Sequence, residues 1–282
     1  MSLIYRNSFF SYYQECNWKG RCVIDLNRLF PFQHDRSLFE SRWEAFFNSD
    51  PANTHILFRS ADALEYLTAF VIPSFCATKP CLLLLFGNPA PHSVKAGVMF
   101  LSEGEGREHR IWRFLAETGV LSFGKNTSGD DTSKRWRMDR LLTANYESPF
   151  QLGMASFISF PSTTIDARWS GVAGVKRLFG AKAFTLLCNA EFERLQLQLK
   201  WFMPRKGIIV AFQRDVFNVL RSTDTPSYSR QPCFSGTVFG SLRDNSNVFL
   251  GAAPPTRWMH SAQARAAFIK IIGLGVTSMF RD

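Results

Sequence analysis

The polar residues best placed for chemistry in this chain sit where apolar runs end. Asn88 lies between Gly87 and Pro89, directly after Cys81-Leu-Leu-Leu-Leu-Phe86, and His92 and Ser93 follow within five residues. Ser159 and Ser162 flank Phe160-Pro161 after a second run, and Pro254-Pro255-Thr256-Arg257-Trp258 follows a third. Open α/β sheets place their ligand crevice outside the carboxyl ends of parallel strands. Three such ends opening on one edge would bring amide, hydroxyl, imidazole and guanidinium groups to one crevice. Pro and Ser at strand ends are also ordinary turn residues. Other chemistries find less support. Gly171-Val-Ala-Gly174 has no Gly-Lys-Ser/Thr and no strand directly before it. Glu103, Glu105, Glu108 and His109 read as a solvated turn and a first helical turn rather than a metal cluster. No Gly-x-Ser-x-Gly elbow supplies a hydrolase nucleophile.

The elements that position these residues follow from periodicity. Six apolar residues bounded by Gly and Pro predict a strand buried on both faces at 81–86. Further strands are predicted at Met154–Phe160, Gly207–Phe212 and Asn247–Gly251. Helices are predicted over Asp62–Phe70, Arg107–Gly119, Phe184–Phe202, Asp215–Leu220 and Ala262–Ile272, the last capped by Ser261. The polar stretch Lys125–Arg140 reads as a loop or the start of a basic helix. The alternation of strands and helices predicts a three-layer α/β/α sandwich around a central, mainly parallel four-stranded sheet. Residues 1–55, aromatic-rich and irregular but for a short helix over Leu38–Phe47, read as an N-terminal extension packed on a main domain of residues 56–282.

Composition narrows the class of partner. The 33 Lys and Arg against 23 Asp and Glu give a formal charge of +10, which favours a polyanionic partner such as nucleic acid. The six Cys include no Cys-x-x-Cys and no His-x₃₋₅-His tail, so they read as buried free thiols, with no metal or iron–sulfur centre. No stretch is long and apolar enough for a membrane helix, and no signal peptide core is present. A soluble cytoplasmic protein is expected, nucleoid-associated, or nuclear in a eukaryote.

The order of segments also carries a resemblance. Asn88-Pro89-Ala-Pro-His-Ser-Val-Lys-Ala-Gly97-Val-Met-Phe100 resembles the first active-site motif of the uracil-DNA glycosylase superfamily, nearest to its single-strand-selective and mismatch-specific branches. Arg107-Glu-His-Arg-Ile-Trp112, ending at Gly119, is similar to the helix that follows that motif. Ala253-Pro254-Pro255-Thr256-Arg257-Trp258 stands where the family carries a second motif, with Ala253 in the place of its His. The resemblance covers roughly residues 60–275. It implies a monofunctional DNA glycosylase that flips a uracil or related base out of DNA and cuts its N-glycosidic bond, with no cofactor or metal and as a monomer. A non-catalytic binder of damaged or single-stranded DNA on the same fold is the alternative. In the catalytic reading Asn88 orients water, Phe100 stacks the base, and Pro89 helps hold the flipped nucleotide. His92 either stacks as well or faces solvent. Ser159 offers a hydroxyl where relatives use an Asn to read the base, which leaves uracil, hypoxanthine, xanthine or a damaged base as substrates. Pro254, Pro255, Thr256, Arg257 and Trp258 match the loop that wedges into DNA; the alternative is a Trp that anchors a loop on the core. Lys134-Arg135-Trp136-Arg137 and Arg168-Trp169 repeat the basic–aromatic pairing.

Overall fold

The computed structural model describes residues 1–73, 78–103, 107–124 and 131–280. The strands are β1 (Ser2–Arg6), β2 (Phe10–Cys16), β3 (Lys19–Asp25), β4 (Leu57–Arg59), β5 (Ala63–Ala69), β6 (Cys81–Phe86), β7 (Gln151–Ser156), β8 (Gly207–Ala211), β9 (Phe239–Leu242) and β10 (Asn245–Ala252). The helices are α1 (Leu26–Leu29), α2 (Gln33–Phe47), α3 (Pro91–Ala96), α4 (Arg110–Glu117) and α5 (Asp131–Leu142). They continue as α6 (Gly171–Phe179), α7 (Ala181–Phe202), α8 (Arg214–Leu220), α9 (Arg230–Phe234) and α10 (Ala262–Met279). The chain divides into two compact units, each assembled from separate segments.

The first unit comprises residues 1–70, 87–99 and 156–198. Its sheet is antiparallel throughout, in the order β1-β2-β3-β5-β4. Alternate residues of β3 and β5 are buried, including Cys22, Ile24, Leu64 and Tyr66, as expected for a sheet with one covered face. An aromatic layer continues that core: Tyr66 meets Phe160 edge-on at 4.8 Å between ring centroids, and Phe160 meets Phe179 of α6 at 5.2 Å. Phe39 of α2 lies 5.5 Å from Phe179. Such pairs add about 0.5–1.5 kcal/mol each beyond the area they bury.

The second unit comprises residues 71–86, 100–155 and 199–282. Its sheet runs β7-β6-β8-β10-β9, with β8 parallel to both β6 and β10, and β9 antiparallel to β10. Leu82 to Leu85 are fully buried, worth about 1.5–3 kcal/mol for each side chain. α10 packs so closely on this sheet that a Cβ on Gly251 would stand 2.3 Å from the Ile271 side chain.

These findings correct the expectation of a single central, mainly parallel four-stranded sheet. There are two five-stranded sheets, one fully antiparallel and one mixed. Asp62–Phe70 is not a helix: residues 63–69 form β5, because pairing with β3 and β4 on both sides outweighs the helical spacing of Leu64 and Leu67. Residues 1–55 are not irregular: they supply β1, β2 and β3 to a sheet that β4 and β5 complete. The mixed sheet gains β9 through a two-residue turn at Arg243-Asp244, where Asp244 takes φ of 61°. Gly171–Phe179 forms α6, and the second predicted strand is β7, ending at Ser156.

Candidate functional site

The Asn88 turn is built within the first unit by backbone pairing to residues 158–162. The Gly87 carbonyl accepts from Ile158 N at 2.9 Å, and the Pro89 carbonyl accepts from Ser162 N at 3.1 Å. Between these anchors Asn88 is half-buried. Its Nδ2 donates to Ser162 Oγ at 2.7 Å and to the Phe160 carbonyl at 3.3 Å. The amide cannot be turned round, because a backbone carbonyl only accepts. The Ser162 hydroxyl donates in turn to the Gly171 carbonyl at 3.3 Å, which leaves it an acceptor towards Asn88. Both Nδ2 hydrogens are therefore committed, and Oδ1 is presented as a fixed acceptor. Ser162 is a site residue that its position in a Ser-Phe-Pro-Ser turn did not distinguish from Ser159.

After the turn, Pro91 opens α3 and Gly97 closes it with φ of 67°. Pro suits the first helical position and Gly the left-handed cap. A Cβ at Gly97 would stand 2.3 Å from the Trp18 ring, so a close approach adds to the backbone requirement. Pro89 is buried, and His92 is half-buried on the first turn of α3.

Ser159 has a different role from the one expected. It is only 1% exposed, and its hydroxyl donates to Glu191 Oε1 while accepting from Tyr66 OH at 2.8 Å. Its backbone N–H also donates to Glu191 Oε1, at 2.6 Å. The hydroxyl is thus engaged inside the protein rather than presented to a base. Glu191 pairs with Arg194 three residues along α7, both buried. Arg194 then donates to the carbonyls of Ser156 at 3.0 Å and Phe157 at 3.1 Å, and to Gln198 Oε1 at 2.6 Å. Gln198 donates to Tyr12 OH at 3.0 Å. Burial opposes the Arg194 charge, but Glu191 and the Tyr12 hydroxyl outweigh it and raise its pKa. Burial, with the Glu191 charge behind it, pushes the Cys22 thiol up to about 12. Cys22 is therefore a neutral packing group, 3.4 Å from Ser159 Oγ. This network holds the segment whose next residues, Phe160 and Ser162, orient Asn88. The sequence carries a signal for it, since Glu191 and Arg194 share the apolar face of α7 with Leu187 and Leu195.

The remaining expected site residues belong to the second unit. Phe100 has φ of 55°, a region bulky residues seldom adopt. Its ring meets Phe86 edge-on at 4.5 Å and lies 4.7 Å from His109, and its carbonyl accepts from Trp112 Nε1 at 3.1 Å. Ala253 is fully buried and its N–H donates to the Ala211 carbonyl, so this position holds a methyl group and no side-chain donor. Pro254 and Pro255 lead into a single 3₁₀ turn over Thr256–Trp258. Arg257 is exposed there, and Trp258 packs edge-on against Phe234 at 5.9 Å with the Arg230 guanidinium 5.7 Å from its ring. Glu103 is not simply solvated: Arg110 donates to it, and its pKa is lowered although burial alone would raise it. Among the described residues no group of three or more His, Cys, Asp or Glu is placed to hold a metal ion. Cys76, Glu105 and the 125–130 part of the polar stretch lie outside the described residues, as does the side chain of Lys134. No described helix is long and apolar enough to cross a membrane.

The sequence matches no family model, and it matches no curated protein.

Proposed function

We propose that this protein is a DNA glycosylase that hydrolyses the N-glycosidic bond of a flipped uracil or related deaminated base, with Asn88 positioning the attacking water. The observation that carries this reading is the fixed orientation of the Asn88 amide. A glycosidic carbon with oxocarbenium character needs an oriented water more than a strong base, and a neutral carboxamide oxygen supplies orientation without one. Water adds through its oxygen to C1′ as the C1′–N bond breaks. The base leaves with the bonding electron pair and takes a proton from solvent, and the proton shed by the water returns to solvent. The positive charge of the chain supports a DNA partner.

Ala253 favours a second reading, a DNA-binding protein on the same scaffold that does not cut. A donor facing the departing base is commonly worth about 3–4 kcal/mol in oxyanion-type sites, and Ala253 has none. Incubation with single- and double-stranded oligonucleotides carrying uracil, hypoxanthine or xanthine, followed by alkaline cleavage at abasic sites, separates the two. The catalytic reading expects strand breaks that fall about 10²-fold with Asn88→Ala. Salt-sensitive binding with no breaks on any substrate would establish the second reading instead.

A further inference from the structure

The positive charge of the first unit is unevenly compensated. Arg21, Arg28, Arg36 and Arg59 each pair with a carboxylate. Around the junction of α6 and α7 the pattern differs. Arg42, Arg168, Lys176, Arg177 and Lys182 form no ion pair with any described carboxylate. Three of them, Arg42, Lys176 and Arg177, line an open cavity of about 370 Å³ together with Ala173, Gly180 and Ala181. Arg42 Nη1 donates to the Arg177 carbonyl at 2.9 Å, and the Arg177 guanidinium donates to the Arg168 carbonyl. Each fork is thereby anchored at one N–H and keeps further donors for a ligand. Lys176 is exposed. Beside the cavity, Lys182 stands 4.5 Å from the ring of Phe32, which is 58% exposed. The end of α6 and the start of α7 bring dipole ends of opposite sign together, so the field here is that of the side chains.

We infer that this cavity binds the phosphodiester backbone of a nucleic acid strand, with Arg42, Lys176 and Arg177 on phosphate oxygens and Phe32 offering a base a stacking face. The inference rests on the nucleic-acid partner proposed above and not on excision. Basic grooves flanked by an accessible aromatic ring follow a strand without reading its sequence. If Lys176 and Arg177 served only to offset the C-terminal dipole of α6, their removal would alter helix stability and leave strand binding alone.

The test is fluorescence anisotropy with a labelled single-stranded oligonucleotide that carries no modified base, titrated across salt concentrations. The variants are Lys176→Gln and Lys176→Gln/Lys182→Gln, both at exposed positions, with thermal melts confirming the fold. Lys200→Gln is the control, removing an equal charge about five turns further along α7. The plot of log affinity against log salt is expected to become shallower by about 0.7 for each phosphate no longer neutralised, and to keep its slope in Lys200→Gln. An unchanged slope in Lys176→Gln, or an equal change in Lys200→Gln, would overturn the inference. Displacement of the strand by inorganic pyrophosphate at matched phosphate concentration would also overturn it, reassigning the cavity to small phosphate compounds. Failure of excision with the slope change intact would remove the glycosylase reading alone.

Discussion

Replacing Glu191 tests whether the buried network is what holds the segment behind Asn88. Glu191 is fully buried and Arg194 is 2% exposed. Glu191→Ala leaves the guanidinium buried without its counter-charge, a loss of roughly 3–5 kcal/mol. It also strips the acceptor from Ser159 N and Oγ, and an orphaned buried donor costs about 1–3 kcal/mol. These contributions overlap, so we expect about 4 kcal/mol in all, a large share of the roughly 5–15 kcal/mol typical of a folded protein. Removing both charges in Glu191→Ala/Arg194→Met is expected to cost less than Glu191→Ala and Arg194→Met summed, by about 2 kcal/mol or more. Urea unfolding of the four proteins in a double-mutant cycle measures this directly. A loss under about 1 kcal/mol for Glu191→Ala, or strict additivity, would refute the reasoning that the pair acts as a unit.

Three further outcomes are expected. Gly97→Ala places a Cβ against the Trp18 ring at φ of 67°, and the left-handed backbone alone costs about 1–2 kcal/mol; a thermal melt unchanged from wild type would contradict this. The Cys22 thiol stays protonated in the fold up to about 12, whereas in the unfolded chain it ionises near about 8.5. The unfolded state therefore sheds its proton first and stability falls as pH rises through that interval; urea melts at neutral and alkaline pH should show a smaller fall in Cys22→Ala, and an equal fall would count against it. Ser162→Ala removes one acceptor of the Asn88 amide, worth about 1 kcal/mol. Excision is expected to drop about fivefold at unchanged substrate binding, and a loss confined to binding would show that Ser162 does not orient Asn88.

Legibility in the sequence followed the kind of order each segment has. β6, β8 and β10 were readable because strands inside a mostly parallel sheet are continuous apolar runs. The antiparallel sheet was not, because Phe9-Phe10 and Tyr12-Tyr13 put aromatic residues on both faces of β2 and hide its alternation. In β5, Leu64 and Leu67 fit a helix template as well as a strand, and the deciding partner β3 lies some forty residues earlier. Asn88 stood out because Gly, Pro and an apolar run frame it. Ser162 and Ser159 look alike in sequence; only the fold sends one to Asn88 and the other to Glu191. The cavity at Lys176 was hidden because Arg42 reaches it from a helix more than a hundred residues earlier in the chain.

The most direct test of the central claim is single-turnover excision from a uracil-containing single-stranded oligonucleotide by the wild type, Asn88→Ala and Asn88→Asp. Abasic-site formation by the wild type is expected, with a loss of about 10²-fold in Asn88→Ala. Asn88→Asp should retain part of the activity, since one carboxylate oxygen can still accept from water. Wild-type protein that forms no abasic sites, or Asn88→Ala that forms them at the wild-type rate, would contradict it.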